Sequence, residues 1–233
     1  MAFLQSQSPR QPFLHAPASV LLLIAALVLA HVARIAAPAP WPNEILTQFA
    51  FIPARYGAGF AGGGLLGLAV PFVSHMFLHA NFVHLGINCV WLLAFGPIVA
   101  RRFGTGLFLL FFVVCGVAGA ATYLALDWGS PAGVIGASGA ISGLMAAGIR
   151  MYPWPGSPQG RAMAPIFSST VLLFTGIWLG TNLLFGIFGF GVGGEIQQIA
   201  WQAHLGGYFV GLISAGGFDA LSRPRGAKST DVA

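Results

Sequence analysis

The chain has 233 residues, of which 57% are hydrophobic and 6% are charged, and its formal net charge is +5. Soluble domains carry about 25% charged residues, so the composition excludes a water-soluble globule, and long continuous apolar runs predict a helical membrane protein rather than a membrane β-barrel. The basic residues lie at the ends of the apolar runs instead of in one patch, which indicates anchoring at the membrane surface and argues against nucleic-acid binding.

Six apolar segments follow one another along the chain and are predicted to cross the membrane as helices. They cover residues 17–37, 82–100, 106–126, 138–149, 165–185 and 199–221. The sequence thus predicts an all-α polytopic membrane protein, with a membrane domain over residues 17–221, a polar segment over residues 1–16 and a polar tail over residues 222–233. A cleaved signal peptide is the alternative for the first segment, but its apolar run continues past His31 and five more segments follow, which favours a retained span.

The first connection, residues 38–73, is too apolar for a solvated loop. It contains Phe49, Phe51 and Leu65, together with a glycine-rich stretch over residues 57–67. We therefore expect an interfacial or re-entrant loop that is partly buried.

Basic residues are distributed unequally between the two sides of the predicted bundle. An even number of spans places both termini on one side, and eight of the ten basic residues then lie on that side. These eight are Arg10, Arg101, Arg102, Arg150, Arg161, Arg223, Arg225 and Lys228. Only Arg34 and Arg55 lie on the other side. Because cytoplasmic loops carry an excess of Lys and Arg, both termini are predicted to be cytoplasmic.

The fourth predicted span is too short to cross the membrane. From Ser138 to Arg150 a helix rises roughly 18 Å, whereas the hydrocarbon core is roughly 30 Å thick. The preceding residues 127–137 must then enter the membrane as irregular backbone, which is tolerated only where it is buried in protein or lines a water-filled cavity. The span length therefore predicts a cavity beside Ser138 that opens to the outside.

Small residues recur every four positions on the fourth and sixth spans. They are Gly139, Gly143 and Ala147 on the fourth, and Gly207, Gly211 and Ala215 on the sixth. Such stripes let two helices pack backbone to backbone. Ser138 and His204 lie at the heads of the two stripes and at similar predicted depths, so close packing is expected to bring them within hydrogen-bond reach.

A serine and a histidine in this position suggest a nucleophile and its base. A hydroxyl is inert at neutral pH until a base takes its proton, and imidazole is the usual base. Ser138 also opens a helix, whose unpaired N–H groups and dipole favour a developing oxyanion. No acidic residue is well placed to orient His204, so a dyad is predicted rather than a triad. The alternatives are a helix cap for Ser138 and a packed polar group for His204.

The second span begins with several histidines. His84 and Asn88 are four residues apart, hence on one helix face, and both side chains can donate hydrogen bonds to an oxyanion. Metal binding through His75, His79 and His84 is the alternative, but no carboxylate lies nearby and the glutamate of a helical zinc-protease motif is missing. His75 and His79 are equally well explained as hydrogen-bonding groups that hold the first connection.

Together, Gly136-x-Ser138-Gly139, His79-x4-His84-x3-Asn88 and Ala203-His204-x2-Gly207 resemble the motifs of the rhomboid family of intramembrane serine proteases. The resemblance covers roughly residues 74–221. It implies a six-helix bundle, no cofactor, Ser138 as nucleophile and His204 as general base. It also implies an oxyanion hole formed by His84, Asn88 and the Ser138 amide. Gly136, Gly139, His79 and Gly207 are expected to support this site.

The resemblance also implies partners and location. We expect single-pass transmembrane proteins as substrates, membrane lipid as the surroundings, neither nucleic acid nor metal as partner, and a bacterial inner membrane as the site of action. A substrate helix is expected to enter near the fifth span, and the glycine-rich residues 186–194 are expected to act as a mobile cap.

Two positions depart from the family pattern. Val70-Pro71 replaces a Trp-Arg pair before the second span, and Ser142 replaces an aromatic residue one turn after the nucleophile, where it is expected either to hydrogen-bond the imidazole or to hold it less firmly. A catalytically inactive relative that binds membrane clients is therefore an alternative. A transporter is the other, but it would place ionisable residues deep in several spans.

Overall fold

The computed structural model describes residues 16–57, 64–152, 162–192, 195–197 and 199–223. In these ranges the chain is mostly helical. The helices are α1 (Ala18–Ala36), α2 (Trp41–Phe49), α3 (Gly64–Ala69), α4 (Pro71–Ser74), α5 (Phe82–Phe103), α6 (Thr105–Leu126), α7 (Ser138–Met151), α8 (Ser169–Phe188) and α9 (Trp201–Leu221), with 3-10 turns at Pro53–Tyr56 and His75–Phe77. A short antiparallel hairpin is formed by β1 (Phe190–Val192) and β2 (Glu195–Gln197).

The long helices identify the chain as a polytopic membrane protein. Within the described residues, α1, α5, α6 and α8 are long and apolar enough to cross a membrane. Their bounds agree with the first, second, third and fifth predicted segments to within a few residues. Because α7 is shorter and α9 is less apolar than these four, a total of six spans stays a prediction.

Helix α7 occupies the centre of the bundle. Ten of its fourteen residues are buried, and it packs against α5, α6 and α9. Its sequence explains this position, because glycine, alanine and serine leave the backbone accessible to close neighbours on every side. The predicted short fourth helix is therefore an inner element enclosed by longer ones.

The crossing of α7 and α9 depends on glycines that face one another. A Cβ placed on Gly211 would lie 2.5 Å from the Cα atom of Gly143, and one placed on Gly207 would collide with the carbonyl oxygen of Gly139. Real Cβ atoms essentially never approach so closely, so the two backbones are in direct contact. The contact predicted from the stripes of small residues is confirmed.

The first connection is a set of short helices anchored by aromatic rings. Phe51 is fully buried, stacks on Tyr56 at a ring-centroid distance of 5.1 Å and meets Phe72 edge-on at 4.7 Å. The Tyr56 hydroxyl donates to the carbonyl of Leu68 at 2.7 Å, and burial raises the pKa of Tyr56 to about 12, so this donor stays protonated. The connection is thus held without the Trp-Arg pair that Val70-Pro71 replaces.

Helix α8 begins at Ser169 rather than at residue 165 as predicted. Pro165 opens a turn in which its carbonyl accepts from the Ser168 amide at 3.0 Å. The Ser168 hydroxyl then accepts from the amide of Val171 at 3.5 Å and caps the helix. Serine favours the cap because its oxygen satisfies an amide that the helix itself leaves unpaired.

The glycine-rich connection before α9 contains the β1–β2 hairpin, which the sequence did not predict. Residues 193, 194 and 198 lie outside the described residues. The expectation that residues 186–194 form a cap therefore stays a prediction. The same holds for the polar segment over residues 1–16 and the tail over residues 222–233, most of which lie outside the described residues.

At the end of the bundle away from Ser138, an ion pair joins α5 to α9. The guanidinium of Arg102 contacts both carboxylate oxygens of Asp219, at 2.7 and 3.0 Å. Arg223 adds a third contact to the same carboxylate at 3.0 Å. Asp219 is buried and Arg223 is largely exposed, so the bidentate pair is the structural part of this cluster.

Candidate active site

Residues 134–137, directly before Ser138, are irregular backbone that is largely buried in protein, whereas residues 131–133 are exposed. Phe51 and Val134 exchange both backbone hydrogen bonds, at 3.1 and 2.8 Å, and the Gly136 amide donates to the carbonyl of His75 at 2.9 Å. The first connection therefore holds the chain that leads into α7. Irregular backbone packed within the protein is thus present at residues 134–137, and the entry of residues 127–137 into the membrane stays a prediction.

Gly136 is required by both conformation and space. Its φ of +114° lies in a region that side chains rarely adopt. A Cβ at this position would also lie 2.7 Å from Nε2 of His84. The glycine thus lets the His84 ring approach the backbone two residues before Ser138.

Ser138 and His204 are brought together by the close crossing of α7 and α9. Nε2 of His204 lies 2.7 Å from Oγ of Ser138, which is hydrogen-bond distance. Ser138 is the first residue of α7, and His204 lies in the first turn of α9. The contact predicted from the sequence is present, whereas the catalytic roles of the two residues stay predictions.

Asn182 on α8 is a site residue that the sequence analysis missed. Its Oδ1 lies 2.7 Å from Nδ1 of His204, on the side of the ring opposite Ser138. Ser142, which was expected to hydrogen-bond the imidazole or to leave it less firmly held, instead donates to the carbonyl of Ser138 at 2.8 Å. The imidazole is therefore bonded through Asn182 and Ser138, on two different helices.

A pattern in the sequence could have indicated Asn182. Thr175, Trp178 and Asn182 are spaced i, i+3 and i+7 and so share one face of α8, while His204 and Tyr208 share one face of α9. In the structure the Thr175 and Tyr208 hydroxyls are 2.8 Å apart, and the rings of Trp178 and Tyr208 stack at 4.1 Å. The shared face marks Asn182 as a candidate for a contact with α9, but its partner on α9 follows only from how the two helices pack.

His84 presents an N–H group toward the segment that contains Gly136. Its Nδ1 accepts from the amide of Ala80 at 3.5 Å, so in the neutral ring the proton lies on Nε2. Asn88, one turn further along α5 and almost fully buried, donates to the carbonyl of His84 at 2.8 Å. One N–H of the Asn88 amide is left for another acceptor.

A cavity of about 440 Å³ adjoins these side chains. His84 and Asn88 line it from α5, Ser138 from α7 and His204 from α9, and residues 133–135 of the irregular segment are also part of its wall. The cavity is partly open, so a chain could reach the Ser138 hydroxyl. A cavity beside Ser138 was predicted, and the side of the membrane to which it opens stays a prediction.

His75 and His79 lie behind the cavity wall. The buried His75 ring donates from Nδ1 to the carbonyl of Pro71 at 2.8 Å, and burial lowers the pKa of His75 to about 4, which keeps the ring neutral. The His79 ring meets the His84 ring edge-on at a centroid distance of 5.2 Å. The backbone carbonyl of His79 accepts a hydrogen bond from the guanidinium of Arg34 at 2.9 Å. The His75 ring therefore fits the predicted hydrogen-bonding role, whereas among the described residues His79 is held through its backbone carbonyl and not through its ring nitrogens.

The metal alternative has no geometric counterpart in the part of the chain that the structure describes. No group of three or more His, Cys, Asp or Glu side chains is arranged there to hold a metal ion. The absence of metal and cofactor stays an expectation from the sequence.

Comparison with known proteins places this site within a family. The sequence model of the Rhomboid domain family matches residues 66–218, which include Ser138, His204, His84 and Asn88. The chain is also 30% identical over 184 residues to the Rhomboid protease GluP of Bacillus subtilis (strain 168). The aligned region is 78% of this chain and 31% of that protein, so the chain spans about a third of the length of this relative. The chain belongs to the rhomboid family.

Proposed function

We propose that this protein is a serine endopeptidase of the membrane that hydrolyses peptide bonds in single-pass transmembrane proteins. Ser138 is the nucleophile and His204 is the general base of a Ser–His dyad. The observation that supports this most is the 2.7 Å contact between Nε2 of His204 and Oγ of Ser138 at the wall of a cavity. Membership of the rhomboid family and the similarity to a rhomboid protease agree with it.

The first chemical step is acyl transfer to Ser138. His204 takes the hydroxyl proton through Nε2 while Oγ attacks the scissile carbonyl carbon, and the carbonyl oxygen becomes an oxyanion. The protonated imidazole then gives its proton to the leaving amine as the C–N bond breaks. In the second step a water loses its proton to His204 and hydrolyses the acyl ester, which regenerates the Ser138 hydroxyl.

The oxyanion is stabilised by three donors in this proposal. They are the Nε2–H of His84, the free N–H of the Asn88 amide and the backbone amide of Ser138. The Ser138 amide lies at the start of α7, where helix amides have no partner within the helix and the dipole favours negative charge. Preorganised donors of this kind are commonly the largest single contribution to such a reaction.

The proposal includes a path by which water and substrate reach the site. Water reaches Ser138 through the cavity, and a substrate helix enters from the lipid beside α8. Support for this path is the low burial of α8: among its described residues only Val171 is buried, so most of this helix lies at the outer surface of the bundle. The proposal also places the protein in a bacterial inner membrane, which it crosses six times, with both termini on the cytoplasmic side.

The test is cleavage of a generic single-pass substrate by the purified protein in lipid vesicles. Wild-type protein is compared with Ser138→Ala and with Ser214→Ala, a control serine on α9 whose hydroxyl donates to the carbonyl of Val210 instead. We expect cleavage by wild type and by the Ser214 variant, and none by the Ser138 variant. If none of the three cleaves, but wild type retains the substrate, the inactive client-binding alternative replaces the proposal.

A further inference from the structure

We propose that Asn182 is a positioning residue that sets the tautomer of His204. This inference rests on the proposed function, in which His204 acts as the base. The observation is a continuous chain of hydrogen bonds from Asn182 through His204 to Ser138, with 2.7 Å at each of its two links. Asn182 itself does not line the cavity, and the only cavity-lining residue to which its side chain is hydrogen-bonded among the described residues is His204, so its effect on Ser138 passes through the imidazole.

The orientation of the Asn182 amide is fixed within α8. Its Nδ2 donates to the carbonyl of Trp178 at 2.8 Å. A carbonyl only accepts hydrogen bonds, so the NH2 group must face Trp178 and Oδ1 must face His204. An amide oxygen likewise only accepts, and the proton of the neutral imidazole is therefore placed on Nδ1. Nε2 is left with its lone pair toward the Ser138 hydroxyl, which is the tautomer that a general base needs.

The height of Asn182 relative to His204 is set by contacts between α8 and α9 that lie one to two turns away. Thr175 and Trp178 lie on the same face of α8, and both contact Tyr208, through a 2.8 Å hydrogen bond between hydroxyls and a 4.1 Å ring stack. Tyr208 lies one turn after His204. These contacts fix the rotation and the height of α8 against α9 at the level where the Asn182–His204 bond forms.

Three other side chains with acceptor oxygens are bonded elsewhere. Ser142 donates to the carbonyl of Ser138, Asp127 accepts from Gln202 at 2.6 Å, and Asp219 is paired with arginines at the far end of the bundle. The side chain that contacts Nδ1 of His204 is the neutral amide of Asn182. In a membrane helix an amide avoids the desolvation cost that a carboxylate would have there.

The experiment combines a direct observation of the tautomer with a reactivity measurement. Full-length protein labelled with 15N-histidine is compared by NMR, and the His204 signals are assigned by their loss in His204→Gln. In wild type we expect a protonated Nδ1 and an unprotonated Nε2. In Asn182→Leu, which has no acceptor, we expect this preference to be lost, whereas Asn182→Asp, which retains an acceptor, should keep it.

Reactivity of the same variants is followed by labelling of Ser138 with a fluorophosphonate. For Asn182→Leu we expect the rate to fall by roughly 10- to 10²-fold, the range for partners that hydrogen-bond the second nitrogen of a metal-bound histidine, and by less than the roughly 10⁴-fold that follows loss of a triad carboxylate; Asn182→Asp should recover part of it. The affinity for a substrate that remains uncleaved should change less than twofold. Thr181→Ala is the matched control, since the Thr181 hydroxyl is exposed and donates only within α8, to the carbonyl of Ile177.

The outcomes separate this inference from the proposed function. A wild-type tautomer and a wild-type labelling rate in Asn182→Leu would overturn the positioning role. If wild type shows the expected tautomer, and Asn182→Leu loses it, but Ser138 is never labelled, the proposed function fails while the assignment of Asn182 stands. Where the leucine is not accommodated, as judged by thermal unfolding, Asn182→Ala provides the same comparison.

Discussion

Substitution of Gly211 by alanine tests how closely α7 and α9 must approach. The added Cβ would lie 2.5 Å from the Cα atom and from the carbonyl oxygen of Gly143. An ordinary contact is about 3.5 Å or more, so the helices must separate locally by about 1 Å. The clash falls on backbone atoms, which cannot be relieved by a change of rotamer.

The magnitude follows from two opposing effects. Alanine is favoured over glycine in a helix by about 1 kcal/mol, whereas overpacking a close contact costs about 1–3 kcal/mol. Gly216→Ala on the same helix adds its Cβ where no atom lies within 4 Å, so it receives only the favourable part. We expect the Gly211 variant to be less stable than the Gly216 variant by about 1–3 kcal/mol.

The same displacement should also separate Ser138 from His204. A misplacement of about 1 Å in a catalytic contact can cost about 10²-fold in rate. Thermal unfolding in detergent measures the stability of both alanine variants, and fluorophosphonate labelling of Ser138 measures the reactivity. Equal stability and equal labelling of Gly211→Ala and Gly216→Ala would refute the direct backbone contact.

Three further substitutions test other parts of the structure. Asp219→Asn removes the buried charge that α5 and α9 share and should lower the free energy of unfolding by about 3–5 kcal/mol, while Arg223→Ala, which removes an exposed partner, should cost at most about 1 kcal/mol in the same denaturation series. Gly136→Ala forces alanine into a backbone conformation that it avoids, and its Cβ would clash with the imidazole of His84. Labelling of Ser138 should therefore be largely lost in protein that still folds. Tyr56→Phe should cost about 1 kcal/mol of stability at neutral pH. Folding raises the pKa of Tyr56 to about 12. The stability that the protonated hydroxyl contributes should therefore be fully present below about pH 10 and be lost as the pH rises through about 12. The Phe variant should not show this loss.

Much of the helical framework could be predicted from the sequence because its signals are local. Long apolar runs define α1, α5, α6 and α8, and the charged pair Arg101-Arg102 marks the end of the second span to within a few residues. The contact between Ser138 and His204 was also predictable, because each residue heads a stripe of small residues and such stripes mark helix faces that can pack closely. Their depth then followed from the helical rise per residue.

The parts that could not be predicted depend on the rotation and tertiary placement of less regular elements. Asn182 donates to the carbonyl four residues earlier, as a polar residue in an apolar helix often does, and its second contact depends on how α8 faces α9. Similarly, nothing local in the sequence pairs Phe51 with Val134, although this pairing holds the segment that leads to Ser138. Both contacts join residues far apart in sequence through a packing angle that no single segment encodes.

The most direct measurement is covalent labelling of the serine itself. Folded wild-type protein in lipid vesicles is treated with a fluorophosphonate, and the modified peptide is identified by mass spectrometry. The account predicts a phosphonyl adduct on Ser138 that is absent in His204→Gln and unchanged in the Ser214→Ala control. Folded wild-type protein that forms no adduct on Ser138, or an adduct that forms equally fast without His204, would contradict the claim that this imidazole activates this hydroxyl.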